Sequence, residues 1–374
     1  MGALLRGLAS LAWAALLCGC DGGGSSAGSG GAAGAAGAGG GASGGSAGSA
    51  GAAGSSGAAG APSYPKPEPA DVSFSAGSAL PSGEQLLFSD WNASPNTVSR
   101  IGVDGGGEAV VFRAYRIWSL GANADASRLA FACGDPQQAQ NYGIALGDAI
   151  QHTWLYDTAT QSASVLSWGN LNDECHRFNA TSSALYVCRR YDFEQNAAQQ
   201  WVNKGYQLGR LQVADGAFEL LTPVVSGRLE LHPVPSADET LVYFTRILIA
   251  GGSQQRTIVR RSLSTDEELD VRPSATLQDI SPDFQRMVFQ NSADQSKLWV
   301  SKLDGSEAVR VADRSGTNAR FSPDGQKVAF LYGETQSCSH IEIVAADGSE
   351  EDSPTRVRDC GSAFVADLLW IDRP

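Results

Sequence analysis

The segment RFSPDGQKVAF at residues 320–330 places Ser-Pro-Asp-Gly between two apolar runs. Proline presets φ at the second position of such a turn, and glycine accepts the left-handed conformation the turn requires. The stretch ISPDFQRMVF at 280–289 repeats it closely. Looser copies are LPSGEQLLF (80–88), NADASRLAF (123–131), FNATSSALYV (178–187) and PSADETLVYF (235–244). The runs end at Phe88, Phe131, Val187, Phe244, Phe289 and Phe330, with spacings of 43, 56, 57, 45 and 41. A recurrence of this length implies one supersecondary unit copied along the chain.

A second marker runs in phase between these copies. SRIGVDGGGEAVVF, TWLYDTATQSASVL, GRLQVADGAFELL, VRRSLSTDEELDV, WVSKLDGSEAVRV and IEIVAADGSEEDSPTRV each read strand, polar turn, strand. Asp-Gly occupies four of these six turns, as tight hairpins favour. Each period therefore holds two hairpins, a–b and c–d. Runs such as KVAFLY are apolar on both alternating faces, which suits a sheet covered on both sides. No helical period of a dozen residues follows Ala70. The prediction is an all-β chain, a six-bladed β-propeller of four-stranded antiparallel blades. FVADLLWIDRP at the C-terminus and ADVSFSAG before the first unit both qualify as the strand that closes the ring.

The SPDGQKVAF and SPDFQRMVF stretches resemble the propeller repeats of TolB-like proteins and of prolyl-oligopeptidase-type peptidases. The resemblance covers residues 71–374, closely in two units and weakly in four, and implies a TolB-like propeller. TolB's separate N-terminal α/β domain has no counterpart here, so the resemblance does not carry over TolB's partners. The catalytic triad of the peptidases lies in an α/β-hydrolase domain that is likewise missing.

The N-terminus reads differently. MGALLRGLASLAWAALLCGC holds one early cation, Arg6, and a ten-residue apolar stretch. As a helix that stretch spans about 15 Å, half a bilayer core, which marks an export signal rather than a membrane span. Leu17-Cys18-Gly19-Cys20 resembles the lipobox of bacterial lipoproteins. The resemblance implies that residues 1–19 are a signal peptide cut between Gly19 and Cys20, and that Cys20 carries the lipid. Cys18 departs from the small residue usual at its position. Residues 20–70 read as a disordered tether, since every residue of 22–61 is Gly, Ala or Ser and has nothing to bury. Its root-mean-square reach is about 35 Å. The expected location is the envelope of a Gram-negative-type bacterium, lipid-anchored to a membrane. The net charge of −13 repels phosphate backbones and argues against nucleic acid.

In a four-stranded blade the a–b and c–d turns share one face, and the b–c loops share the other. The insertions at 134–150, 191–204 and 246–256 all fall on the b–c face, the usual place for binding. Tyr142, Tyr191, Phe193 and Trp201 are the candidate binding rim. Trp118 and Trp168 read as packing residues.

Antiparallel partners share a constant index sum. Phe178 opposite Leu185 gives 363, and so do Cys175 and Cys188; Cys338 and Cys360 centre on the turn at 347–351. The expected disulfides are Cys175–Cys188 and Cys338–Cys360, with Cys133 outside both pairs and a Cys133–Cys175 bridge as the rival. The four histidines fall in different units without paired ligand spacing, so no metal, cofactor or catalytic residue is assigned. Three functional readings follow: a tethered, non-catalytic module that binds a protein or envelope partner, a propeller-based hydrolase or lyase acting on peptide or glycan, and a structural envelope lipoprotein.

Overall fold

The computed structural model describes residues 66–91, 94–134, 151–169, 171–191, 194–195, 201–202, 205–250, 253–335, 338–359 and 365–374. Signal, Gly19, Cys20 and nearly all of the tether lie outside the described residues. The folded body begins at Lys66, and Pro67 is already buried. A 3-10 turn at Pro69–Val72 seats Val72 in the core.

The protein is all-β, and its sheets are built from four antiparallel strands. Three sheets stand alone as sets of four. An eight-stranded sheet divides at a single parallel pairing, Gln151 with Asn172, into two further sets. Besides a two-stranded pairing of Glu194–Gln195 with Trp201–Val202, the remaining sheet joins the first and last described strands. Val365–Arg373 pairs with Gly83–Asp90 as its inner strand, while Ser75–Ala76 pairs with Ala109–Ala114 as a fifth, outer strand. Both closure candidates are therefore used, one on each edge. Among the described residues, six units follow in chain order. Their inner strands are Val365–Arg373, Ile117–Ala122, Leu171–Phe178, Arg228–Pro235, Ala275–Ile280 and Thr317–Phe321. Each packs on the next and the last on the first, which closes a ring.

Five a–b turns share one geometry although their sequences differ. The first side-chain oxygen accepts the N–H five residues on: Asn123 from Arg128 (2.8 Å), Asn179 from Ala184 (3.0 Å), Ser236 from Leu241 (3.0 Å), Ser281 from Arg286 (2.9 Å) and Ser322 from Lys327 (2.9 Å). The fourth residue is left-handed in all five, with φ of 51° at Ala126, 59° at Ser182, 55° at Glu239, 54° at Phe284 and 70° at Gly325. Only one of these is glycine, so the side-chain bonds hold the turn where the residue itself does not favour it. The stretch at 80–88 is different. Its strand begins at Gly83 and its partner comes from the C-terminus, so no hairpin turn exists there; instead Ser82 donates to the terminal Pro374 carbonyl.

In the c–d turns the Asp-Gly glycines have two reasons to be glycine. Gly105, Gly216, Gly305 and Gly348 all have φ between 73° and 83°. Each also abuts a carbonyl of the neighbouring unit. An added Cβ would lie 2.8 Å from Val357 O, 2.2 Å from Leu166 O, 2.9 Å from Val271 O and 2.8 Å from Arg310 O, respectively. The repeated turn residue is thus also a unit-to-unit packing residue.

Phe88, Phe131, Val187, Phe244, Phe289 and Phe330 are fully buried, each on the second strand of its unit. Each contributes about 1.5–3 kcal/mol of apolar burial. The segment at 246–256 is not a loop insertion. Leu241–Ala250 and Ser253–Ser262 remain paired out to Ala250 with Ser253, giving a long hairpin.

Candidate functional site

The register breaks between the inner and second strands of all six units. Extra residues bulge from the inner strand at Trp118–Ser119, Cys175–His176, His232–Pro233, Gln278, Asn318–Ala319 and Ala366–Asp367. Bulges re-aim side chains, and here they aim them at the neighbouring units.

The richest cluster joins the second and third units. Ser119 Oγ lies 2.6 Å from His176 Nδ1, and Thr153 Oγ1 lies 3.0 Å from His176 Nε2. The Thr153 hydroxyl donates to Asp173 Oδ2 at 3.2 Å, so Thr153 accepts from Nε2–H and Ser119 donates to Nδ1. Ser167 donates to the same carboxylate oxygen at 2.6 Å. Arg189 closes the cluster with a bidentate pair to Asp173 at 2.6 and 2.7 Å. Burial pushes the Asp173 carboxyl up, but the Arg189 guanidinium and the Ser167 hydroxyl outweigh it and hold it below the ordinary range. Burial lowers the His176 imidazole to about 4, so it is neutral at pH 7. An imidazole so placed is a weak general base at neutral pH, and Ser119 is itself buried.

A second set of contacts spans the ring. Asp367 accepts from Leu120 N at 2.8 Å and pairs with Arg320 at 3.2 Å. Arg320 also donates to Gln278 O at 2.8 Å. His232 Nδ1–H donates to Leu277 O at 2.8 Å, and Asn318 Nδ2 donates to Ala366 O at 2.8 Å. Arg177 of the third unit reaches Asp279 of the fifth at 2.9 Å, and Asp279 accepts from Phe321 N at 2.9 Å. The Arg177–Asp279 pair joins the third and fifth units directly, past the fourth. Burial raises the Asp367 carboxyl and lowers the His232 imidazole to about 4.

In the fourth unit, Glu230 of the inner strand and Glu268 beside the c–d turn hold arginines. Arg246 donates to Glu230 at 2.7 Å and to Glu268 at 2.7 Å, and Arg261 donates to Glu268 at 2.8 Å. This network stiffens the base of the long hairpin. Beyond it, Leu248 and Ile249 are exposed at 43% and 42%. Val224 and Val225, exposed at 48% and 40%, lie beside them: Arg228 N donates to Val225 O, Arg228 pairs with Leu248, and Ile249 N donates to Gly227 O.

Of the rim residues named from sequence, Tyr142 and Phe193 lie outside the described residues. Tyr191 and Trp201 are placed by backbone alone, at the end of Ala184–Tyr191 and in Trp201–Val202. Trp118 packs edge-on against Trp91, while Trp168 is 39% exposed with Lys66 Nζ 5.4 Å above its ring. Cys175 does not stand directly opposite Cys188, because the bulge shifts the register by one and Glu174 takes that place. The two side chains nonetheless touch, both as thiols. Cys133 donates from its own unit to Tyr115 O at 2.8 Å. Cys360 and the side chain of Cys338 lie outside the described residues. Asp173 and Arg189, the best-buried ion pair of the site, were not singled out from sequence.

No protein-family model matches this sequence, and no curated protein does. Solved structures share the fold. TolB from Acinetobacter baumannii aligns with a TM-score of 0.54 at 16% identity, over 77% of this chain and 66% of that one. Hydrazine synthase from Kuenenia stuttgartiensis aligns with a TM-score of 0.57 at 9% identity, over 79% of this chain and 47% of that one. The chain thus spans just under two thirds of the first protein's length and about half of the second's. The fold is a TolB-like propeller.

Proposed function

We propose that this chain is a six-bladed propeller that acts as a non-catalytic binding module for a protein or envelope partner, anchored to a bacterial envelope membrane through Cys20. The observation that carries the reading is the b–c face of the fourth unit. It sets Leu248 and Ile249 of the hairpin beside Val224 and Val225 of the preceding segment, all four exposed, over a scaffold braced by partly buried arginine–glutamate pairs. Rigid scaffolds with apolar side chains on one rim suit recognition. The test is site-specific photocrosslinking in cells, with the probe at Leu248 on this face or at Gln326 on the turn face. One defined adduct from position 248 that disappears in Ile249→Asp is the expected result. Equal labelling from both positions, or none, overturns the reading. The anchor is tested separately: Cys20→Ala should leave the membrane fraction, and its persistence there would exclude lipidation.

The second reading, a hydrolase or lyase, draws on one observation, the serine–imidazole contact at Ser119 and His176. A serine-directed phosphonate probe decides it. Labelling lost in Ser119→Ala would favour the enzyme.

A further inference from the structure

We propose that Cys175 and Cys188 form a redox lock on the bulge that carries the third unit's contacts to its neighbours. Three consecutive residues leave this bulge in different directions. Cys175, with φ of 60°, meets Cys188 on the adjacent strand. His176 reaches Ser119 and Thr153 of the second unit. Arg177 reaches Asp279 of the fifth. Cys188 in turn receives the backbone N–H of His232, which sits in the fourth unit's own bulge. A covalent bond between the two sulfurs fixes the start of this three-residue fan, and with it the contacts to three other units.

The chemistry needs a disulfide donor, which an exported protein meets in an oxidising compartment. Cys175 is partly exposed and Cys188 is fully buried. Cys175 therefore loses its proton and attacks the donor first, forming a mixed disulfide and releasing one donor thiol. Cys188 then loses its proton and displaces the second donor thiol from the Cys175 sulfur. Two protein thiols and one donor disulfide become one protein disulfide and two donor thiols. Burial keeps Cys188 from meeting a donor directly and pushes its thiol well up, so it enters only at the second, intramolecular step.

In the cell the lock rests on the export proposed above, but its geometry does not. The experiment therefore uses the purified full chain equilibrated with oxidised and reduced glutathione. The expected results are a non-reduced peptide joining Cys175 to Cys188 and slower hydrogen exchange across 171–178 in the oxidised form. Both should vanish in Cys175→Ser and in Cys188→Ser, and both should persist in Cys133→Ser. A wild-type protein that keeps both thiols alkylatable after oxidation overturns the proposal, as does a bridge to Cys133. A bridge that forms without slowing exchange at 171–178 overturns the lock while leaving the disulfide. Recovery of the reduced pair from cells, with the bridge forming in glutathione, would count against export alone.

Discussion

The contact between the fifth and sixth units and that between the second and third are built from the same repeat by different means. Between the fifth and sixth, Val288, Leu298, Val300, Phe321, Val328 and Phe330 make an apolar layer. Between the second and third, an apolar patch around Leu166, Leu185 and Val187 shares the contact with the Asp173 cluster. The first arrangement is tolerant, since hydrophobic side chains of similar volume can replace one another. The second is demanding, since each polar member depends on its partners. The regular units therefore carry the fold, and the irregular ones carry the constraints a fold alone does not need.

The largest expected effect breaks the demanding contact. Arg189→Ala leaves Asp173 buried without its cation and should cost about 3–5 kcal/mol in denaturant unfolding. Replacing both partners, Asp173→Leu with Arg189→Met, should recover most of that loss. If the double variant is no more stable than Arg189→Ala, the cluster serves more than pairing.

Acidification acts on the same contact. The unfolded His176 imidazole takes up a proton near its ordinary 6.5, while the folded one does so only at about 4. Between those values the unfolded chain binds more protons, so His176 costs stability as the pH falls through that window, by about 3 kcal/mol at its lower end. Glu174 and Asp367, raised by burial, work in the opposite direction and favour the folded state as the pH falls. The histidine share is therefore read by difference. His176→Gln should lose less stability than wild type between pH 6.5 and 4, and the wild-type imidazole should stay neutral by NMR at pH 5.5. An imidazole that titrates at its ordinary value would remove the prediction.

The two contacts were unequally legible in the sequence. The period, the turn chemistry and the two-faced apolar runs all report on backbone and packing, and they led directly to the sheets and their order. The Asp173–Arg189 pair was hidden by one residue. A constant index sum of 363 sets Asp173 opposite Arg190, whereas the bulge at Cys175–His176 lowers the sum to 362 and brings Arg189 to it. Nothing in the local sequence signals that bulge, because Cys175 takes a left-handed φ that its side chain does not favour. The rim aromatics were chosen because they stood in insertions. The exposed aliphatic side chains at Leu248 and Ile249 also stood in a segment read as an insertion, 246–256, and were passed over because only aromatic side chains were taken as anchors.

Glycines sharpen the difference between the two kinds of turn. Gly216 has φ of 73°, and a Cβ there would lie 2.2 Å from Leu166 O of the second unit. Gly216→Ala should cost about 2–3 kcal/mol, combining left-handed strain with displacement of a neighbouring backbone. Gly325 has a similar φ of 70°, but its nearest neighbour would be the end of the Arg286 side chain at 3.4 Å. Gly325→Ala should therefore cost about 1 kcal/mol. Equal losses in thermal unfolding would show that unit-to-unit contact at the c–d turn adds nothing to backbone strain.

The smallest effect concerns the side chain that sets the a–b turn. Ser322 Oγ accepts from Lys327 N at 2.9 Å and donates to Asp324 at 2.6 Å. Ser322→Ala removes both bonds and should cost about 1 kcal/mol. Ser322→Asn should cost less than half of that, because Asn123 and Asn179 fill the same place and accept the equivalent N–H. The pair of variants separates two explanations of the Ser-Pro-Asp-Gly stretch. If asparagine substitutes for serine, the turn needs an oxygen acceptor at its first position, and the conspicuous motif is one of several solutions. If asparagine fails where alanine fails, the hydroxyl's bond to Asp324 sets the turn, and the asparagine-led turns of the second and third units are stabilised by other means.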